Sequence, residues 1–115
     1  MRVMLTDGVL IDVKFRREER GYHPSGHGFR SVIRSHCRIS RVIDPNSKGG
    51  DNYVVLAEGF VTRNHNDAPS KAEGFRKALE QALAFRLPPR PLLFDSKENR
   101  ELIWKEFLKM YGKRL

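Results

Sequence analysis

Residues 29–43 read Phe-Arg-Ser-Val-Ile-Arg-Ser-His-Cys-Arg-Ile-Ser-Arg-Val-Ile, and the parity of that stretch decides the fold. Odd positions hold Phe29, Ser31, Ile33, Ser35, Cys37, Ile39, Arg41 and Ile43, and even positions hold Arg30, Val32, Arg34, His36, Arg38, Ser40 and Val42. Side chains of a strand alternate between faces, so the odd set packs inward while Arg30, Arg34, His36 and Arg38 form a cationic row outside. A helix fails here, because Arg30, Arg34, Arg38 and Arg41 recur at helical spacing with no wide apolar stripe opposite them.

The segment before it repeats the pattern. Val9, Ile11, Val13 and Phe15 fall on one face, and Leu10, Asp12, Lys14 and Arg16 on the other. Asp7-Gly8 tolerates positive φ and marks a short hairpin between Arg2–Leu5 and Val9–Phe15. If the two basic strands are neighbours, Lys14 and Arg16 join Arg30, Arg34 and Arg38 in one patch. Residues 16–28, RREERGYHPSGHG, read as a polar loop, since three glycines, a proline and a serine crowd positions 21–28. Arg16, Arg17, Arg20, Tyr22, His23 and His27 in that segment suit base stacking and phosphate contact. Glu18 and Glu19 partly neutralise it.

Downstream, residues 44–52 are turn-rich and Tyr53–Thr62 is a strand by its β-branched and aromatic content. Its weak alternation implies a central strand, or one covered on both faces, and Gly59 marks a bulge or a close backbone approach. A helix follows from Ser70 to Arg86, opened by the capping box Ser70-Lys-Ala-Glu73 and closed by Pro88 and Pro89. Phe75, Ala78, Leu79, Ala82, Leu83 and Phe85 form its core stripe. A final helix runs from Ser96 to Tyr111, capped by Asp95 or Ser96 and ended by Gly112. Its apolar residues, Leu102, Ile103, Trp104, Phe107, Leu108, Met110 and Tyr111, exceed a narrow stripe. It either packs broadly or leaves a strip for a partner, including a second copy of the chain as a homodimer.

The fold expected is α+β: one domain over residues 1–115, with a three- or four-stranded antiparallel sheet followed by two C-terminal helices packed on one face. A chain of 115 residues buries roughly 65% of its unfolded surface in one modest core. No apolar run approaches the ~20 residues that span a bilayer. MRVMLTDGVLIDV lacks the layout of a signal peptide. Cys37 is the only cysteine, which excludes an internal disulfide and fits a reducing compartment, the cytoplasm, or the host cytoplasm for a viral chain.

The net charge is +8, and residues 14–41 hold eight Lys/Arg against Glu18 and Glu19. Much of this excess is arginine, the side chain suited to bidentate phosphate contact. It points to an anionic partner. No phosphate loop, dinucleotide fingerprint or H-E-x-x-H motif occurs, and no cofactor is expected. His23 and His27 stand four apart, with His36 and Cys37 adjacent, but a strand sends His36 and Cys37 to opposite faces, so no metal site is expected. Two histidines beside a cation could also serve a small ribonuclease, one as base and one as acid. Cys37 reads as a small core residue.

The run Ser70-Lys71-Ala72-Glu73-Gly74-Phe75-Arg76-Lys77-Ala78-Leu79-Glu80-Gln81-Ala82-Leu83, behind three strands, resembles the second half of a double-stranded-RNA-binding domain. That family ends in a Ser-Lys-Lys-x-Ala-Lys-x-x-Ala-Ala-x-x-Ala-Leu helix, whose lysines meet phosphates. Ser70, Lys71, Ala78, Ala82 and Leu83 match, while Ala72 and Phe75 replace the other two lysines and Gly74 replaces an alanine. The resemblance implies RNA binding and a phosphate contact from Lys71. The short, basic, arginine-rich chain is also similar in style to small accessory proteins of bacteriophages, some of which disable host machinery such as CRISPR effectors.

Three functions follow as expectations. The first is non-enzymatic nucleic-acid binding to the phosphate backbone through the arginine-rich sheet face, using Lys14, Arg16, Arg17, Arg20, Tyr22, Arg30, Arg34, His36, Arg38 and Lys71. The second is a phage-encoded, anti-CRISPR-type inhibitor that places the same face on an acidic surface or in the nucleic-acid channel of a host complex. The third is the small ribonuclease.

Overall fold

The computed structural model describes residues 1–22, 30–43, 53–64, 70–84 and 96–114. Four strands, β1 (Arg2–Met4), β2 (Leu10–Tyr22), β3 (Arg30–Val42) and β4 (Tyr53–Asn64), precede two helices, α1 (Lys71–Leu83) and α2 (Lys97–Tyr111). The sheet is an antiparallel meander in the order β1-β2-β3-β4. Both helices pack on one face, as the parity of β3 implies. Among the described residues no helix is long and apolar enough to cross a membrane.

The first hairpin turns at Gly8, whose φ of 83° lies in the left-handed region, and Leu5 N–H donates to the Val9 carbonyl at 2.9 Å. β2 departs from expectation. It pairs with β3 from Ile11↔Arg41 through to Tyr22↔Arg30, so residues 16–22 are strand and not loop. The charged residues of this stretch still fit a strand, because alternation disposes them above and below the sheet and a long partner ladder satisfies their amides. His23, His27 and Phe29 lie outside the described residues.

β4 is the edge of the sheet, not a central strand as its mixed pattern implies. α1 lies against its helix-facing residues Ala57 and Val61, while Val54, Val55 and Phe60 stay exposed. Gly59 is where they touch. A Cβ at Gly59 would overlap the Ala78 carbonyl oxygen and stand 2.6 Å from Ala82 N, both backbone atoms that cannot swing aside. Gly74 faces Ser35 from the helix side of the same contact. Gly59 is therefore a close approach, and the bulge sits elsewhere, where Ile39↔Ala57 is followed by Ser40↔Val55.

α1 begins as its sequence requires, with the Ser70 hydroxyl accepting from Glu73 N–H at 3.3 Å, and buries Phe75, Ala78, Leu79, Ala82 and Leu83. It ends at Leu83, and Phe85 lies outside the described residues. In α2 Ser96 is the cap, and Gly112 ends the helix with right-handed φ, −57°, leading into a 3₁₀ turn. Only Ile103 and Phe107 of its apolar residues are fully buried, with Leu108 and Met110 exposed. Phe15 on β2 joins both helices. Its ring lies 5.0 Å from Phe75, 5.6 Å from Phe107 and 5.8 Å from Tyr111. At the far end of α2, Thr6 donates to buried Asn99 Oδ1 through both N–H and Oγ1 at 2.9 Å, tying the first hairpin to the helix start.

Gly59→Ala should destabilise the fold by about 3 kcal/mol or more, since backbone must move. Gly8→Ala, which meets no atom within 4 Å but must hold positive φ, should lose only about 1–2 kcal/mol. Urea unfolding of the two variants checks the order. Equal losses would mean that α1 does not dock as closely as described.

Candidate functional site

The even positions of β2 and β3 face away from the helices, and the ladder sets them side by side. Lys14↔Arg38, Arg16↔His36 and Glu18↔Arg34 pair across β2 and β3, and His36↔Phe60, Arg38↔Glu58 and Arg34↔Thr62 across β3 and β4. Lys14, Arg16, Arg34, His36 and Arg38 therefore share one uncovered face, as expected. Arg20, Tyr22 and Arg30 hold backbone positions in the same ladder, Arg20↔Val32 and Tyr22↔Arg30.

Two other expected residues stand apart. Arg17 pairs with Ser35 on the helix-side parity, because a strand reverses its side chains at every residue. Lys71 is exposed in the first turn of α1, across the sheet from the open face, with its ammonium 5.7 Å from the Phe75 ring. A single phosphate-binding patch cannot include either with Lys14 and Arg38.

The open face is also not a bare cationic row. Arg38 Nε donates to Glu58 at 3.0 Å, Lys14 lies 3.8 Å from Asp12, and Arg16 pairs with Glu18. Arg2, Lys14, Arg16, Arg34 and Arg38 are thus set among Asp12, Glu18 and Glu58. Such half-exposed pairs contribute little each, about 0–1 kcal/mol, so an incoming phosphate can compete for the cations.

His36 is buried at 8% exposure and stacks on Phe60, with ring centroids 4.6 Å apart and planes 19° from parallel. Burial holds its pKa below the ordinary 6.5; Glu58 opposes this, and Arg38 and Arg16 reinforce it. Its Nε2 is 3.9 Å from Glu58, too far for a hydrogen bond, and has no other partner. His36 is therefore a neutral ring in this face and not part of a row of charge. Cys37 points the other way, fully buried opposite Gly59, and burial pushes its thiol up to about 12. Among the described residues no group of three His, Cys, Asp or Glu could hold a metal.

Aromatic residues are what the charge pattern concealed. Phe60 is 44% exposed, and the Arg34 guanidinium lies 5.5 Å from its centroid. Tyr53 belongs to the same face: its hydroxyl accepts from Arg2 at 3.1 Å, and Lys14 stands 5.4 Å from its ring. Tyr53 and Phe60 differ in parity, so simple alternation puts them on opposite faces; the usable signal was Gly59 and the break in alternation of β4.

A base whose folded pKa is depressed adds stability above its unfolded pKa and loses it as pH falls. Lowering the pH from about 7.5 to about 5.5 should therefore lower Tm, and His36→Phe should shrink that difference. An undiminished difference in the variant would show that His36 does not drive it. The Cys37 thiol should stay inert to a thiol reagent in native buffer and react at once in denaturant; rapid native labelling would contradict its burial. Comparison with protein-family models, with curated proteins and with solved structures finds no match for this chain.

Proposed function

We propose that this protein binds nucleic acid through the open face of its sheet, contacting the phosphate backbone with Lys14, Arg16, Arg34 and Arg38. The observation that carries this reading is the gathering of these cations on one face that neither described helix covers. A net charge of +8 over the chain adds long-range attraction to any polyanion. The arginine forks suit phosphate better than a lysine cluster would, because they present paired donors.

A second reading is supported by the carboxylates on the same face. Asp12, Glu18 and Glu58 alternate with the cations, and mixed charge of this kind suits a protein surface with a complementary pattern. An inhibitor docking on a host complex would use it. A stoichiometric complex with a defined protein that survives nuclease treatment would favour this reading over the first.

For nucleic-acid binding, log affinity should fall linearly with log salt. Arg16, Arg34 and Arg38 changed together to Gln should lower the magnitude of that slope by about 2–3, one phosphate contact each. Circular dichroism of the variant guards the comparison. An unchanged slope in a folded triple variant would refute contact through this face.

A further inference from the structure

The open face spends two of its positions on aromatic rings that the hydrophobic core does not need. Phe60 leaves nearly half its surface to water. Among the described residues its ring meets His36 and Arg34, both reaching from β3, and no described strand lies beyond β4. His36 backs the Phe60 ring as a second, nearly parallel ring that is itself buried. Tyr53 marks another aromatic station on the same face, seven residues along β4 and so roughly 20 Å away, with Lys14 and Arg2 beside it.

An exposed ring backed by a stacked ring and flanked by guanidinium groups has a definite preference among nucleic acids. A free base offers its π-face to such a platform while the neighbouring phosphates meet the cations. A duplex offers only base edges in its grooves, with the π-faces already stacked on one another. The carboxylates of this face also weaken a purely electrostatic grip, leaving more of the affinity to stacking.

Resting on the nucleic-acid reading above, we infer that the ligand is single-stranded, with a base stacked on Phe60 and its flanking phosphates at Arg34 and Arg38. Tyr53 holds a second base farther along the strand.

Fluorescence anisotropy tests this with three labelled probes of about twelve nucleotides: a single strand, the matching duplex, and an abasic strand with the same phosphates. The single strand should bind most tightly. Phe60→Leu should weaken it roughly 5- to 150-fold, the range expected for loss of one stacked base, and leave the abasic strand unaffected. Phe60→Tyr should restore binding. Equal affinity of wild type for single strand, duplex and abasic strand would overturn the inference while leaving nucleic-acid binding in place. So would an unchanged single-strand affinity in Phe60→Leu. If no probe binds wild type at all, the nucleic-acid reading fails and this inference falls with it. Should Phe60→Leu not fold, the wild-type comparison of base-bearing and abasic strands decides alone.

Discussion

The ring of Phe15 meets Phe75, Phe107 and Tyr111 at once, and that shared contact commits α1 and α2 to the same side of the sheet. A four-stranded sheet has two faces to satisfy, and here one aromatic residue on β2 collects both helices onto one of them. Trp104 extends the cluster edge-on to Phe107. The bare face that remains follows from this arrangement. Cys37, Ile39, Val13 and Ile11 are sealed beneath the helices, and of the alternate residues on the other face Lys14, Arg16 and Arg38 reach solvent while Asp12, His36, Ser40 and Val42 stay buried.

Those alternate residues are more mixed in character than the net charge implies. Arg17, Arg41, Lys71 and the exposed lysines of α2 place positive charge around the molecule, and it acts at a distance on any polyanion without distinguishing one from another. On the open face, charge is matched pair by pair with Asp12, Glu18 and Glu58. Phe60 adds an exposed ring to this face, with His36 stacked on it. Positive charge is a property of the whole chain, and its pairing with carboxylates a property of one face.

Much of the architecture was legible because it rests on local rules. The parity of residues 33–39 and 9–16, the Asp7-Gly8 turn, the Ser70 cap and the apolar stripe of α1 each point to the structure observed. Beyond Ile39, by contrast, the odd residues Arg41 and Ile43 are exposed and Ser40 and Val42 buried. The misses have a common cause, which is that alternation and composition carry no information about partners. Residues 16–22 look like a loop by composition, yet a long ladder with β3 holds them as strand. β4 looks central because it is apolar, yet its cover is a helix that approaches at Gly59. The cations of the candidate face were visible as a row, and Asp12 and Glu18 stand two residues from Lys14 and Arg16 on the same strand, but one carboxylate partner comes from another strand. Glu58 reaches Arg38 from twenty residues away. The resemblance of residues 70–83 to an RNA-binding helix drew Lys71 into the site, but a capped amphipathic helix has the same pattern when its task is to cover a sheet.

The break in pairing between Ile39 and Ser40 has a consequence for the composition of the face. Leu56 is the extra residue between Ala57 and Val55, and it reverses the parity of everything before it in β4. Ala57, Gly59 and Val61 face the helices, but Tyr53 and Val55, also odd, are transferred to the open side. One inserted residue thus converts what would have been two half-occupied surfaces into a single tract bearing both rings. A chain lacking Leu56 would keep its strand, its helices and its charge, and lose the company of Tyr53 with Phe60. In this fold, the number of residues in an edge strand decides which side chains share a face.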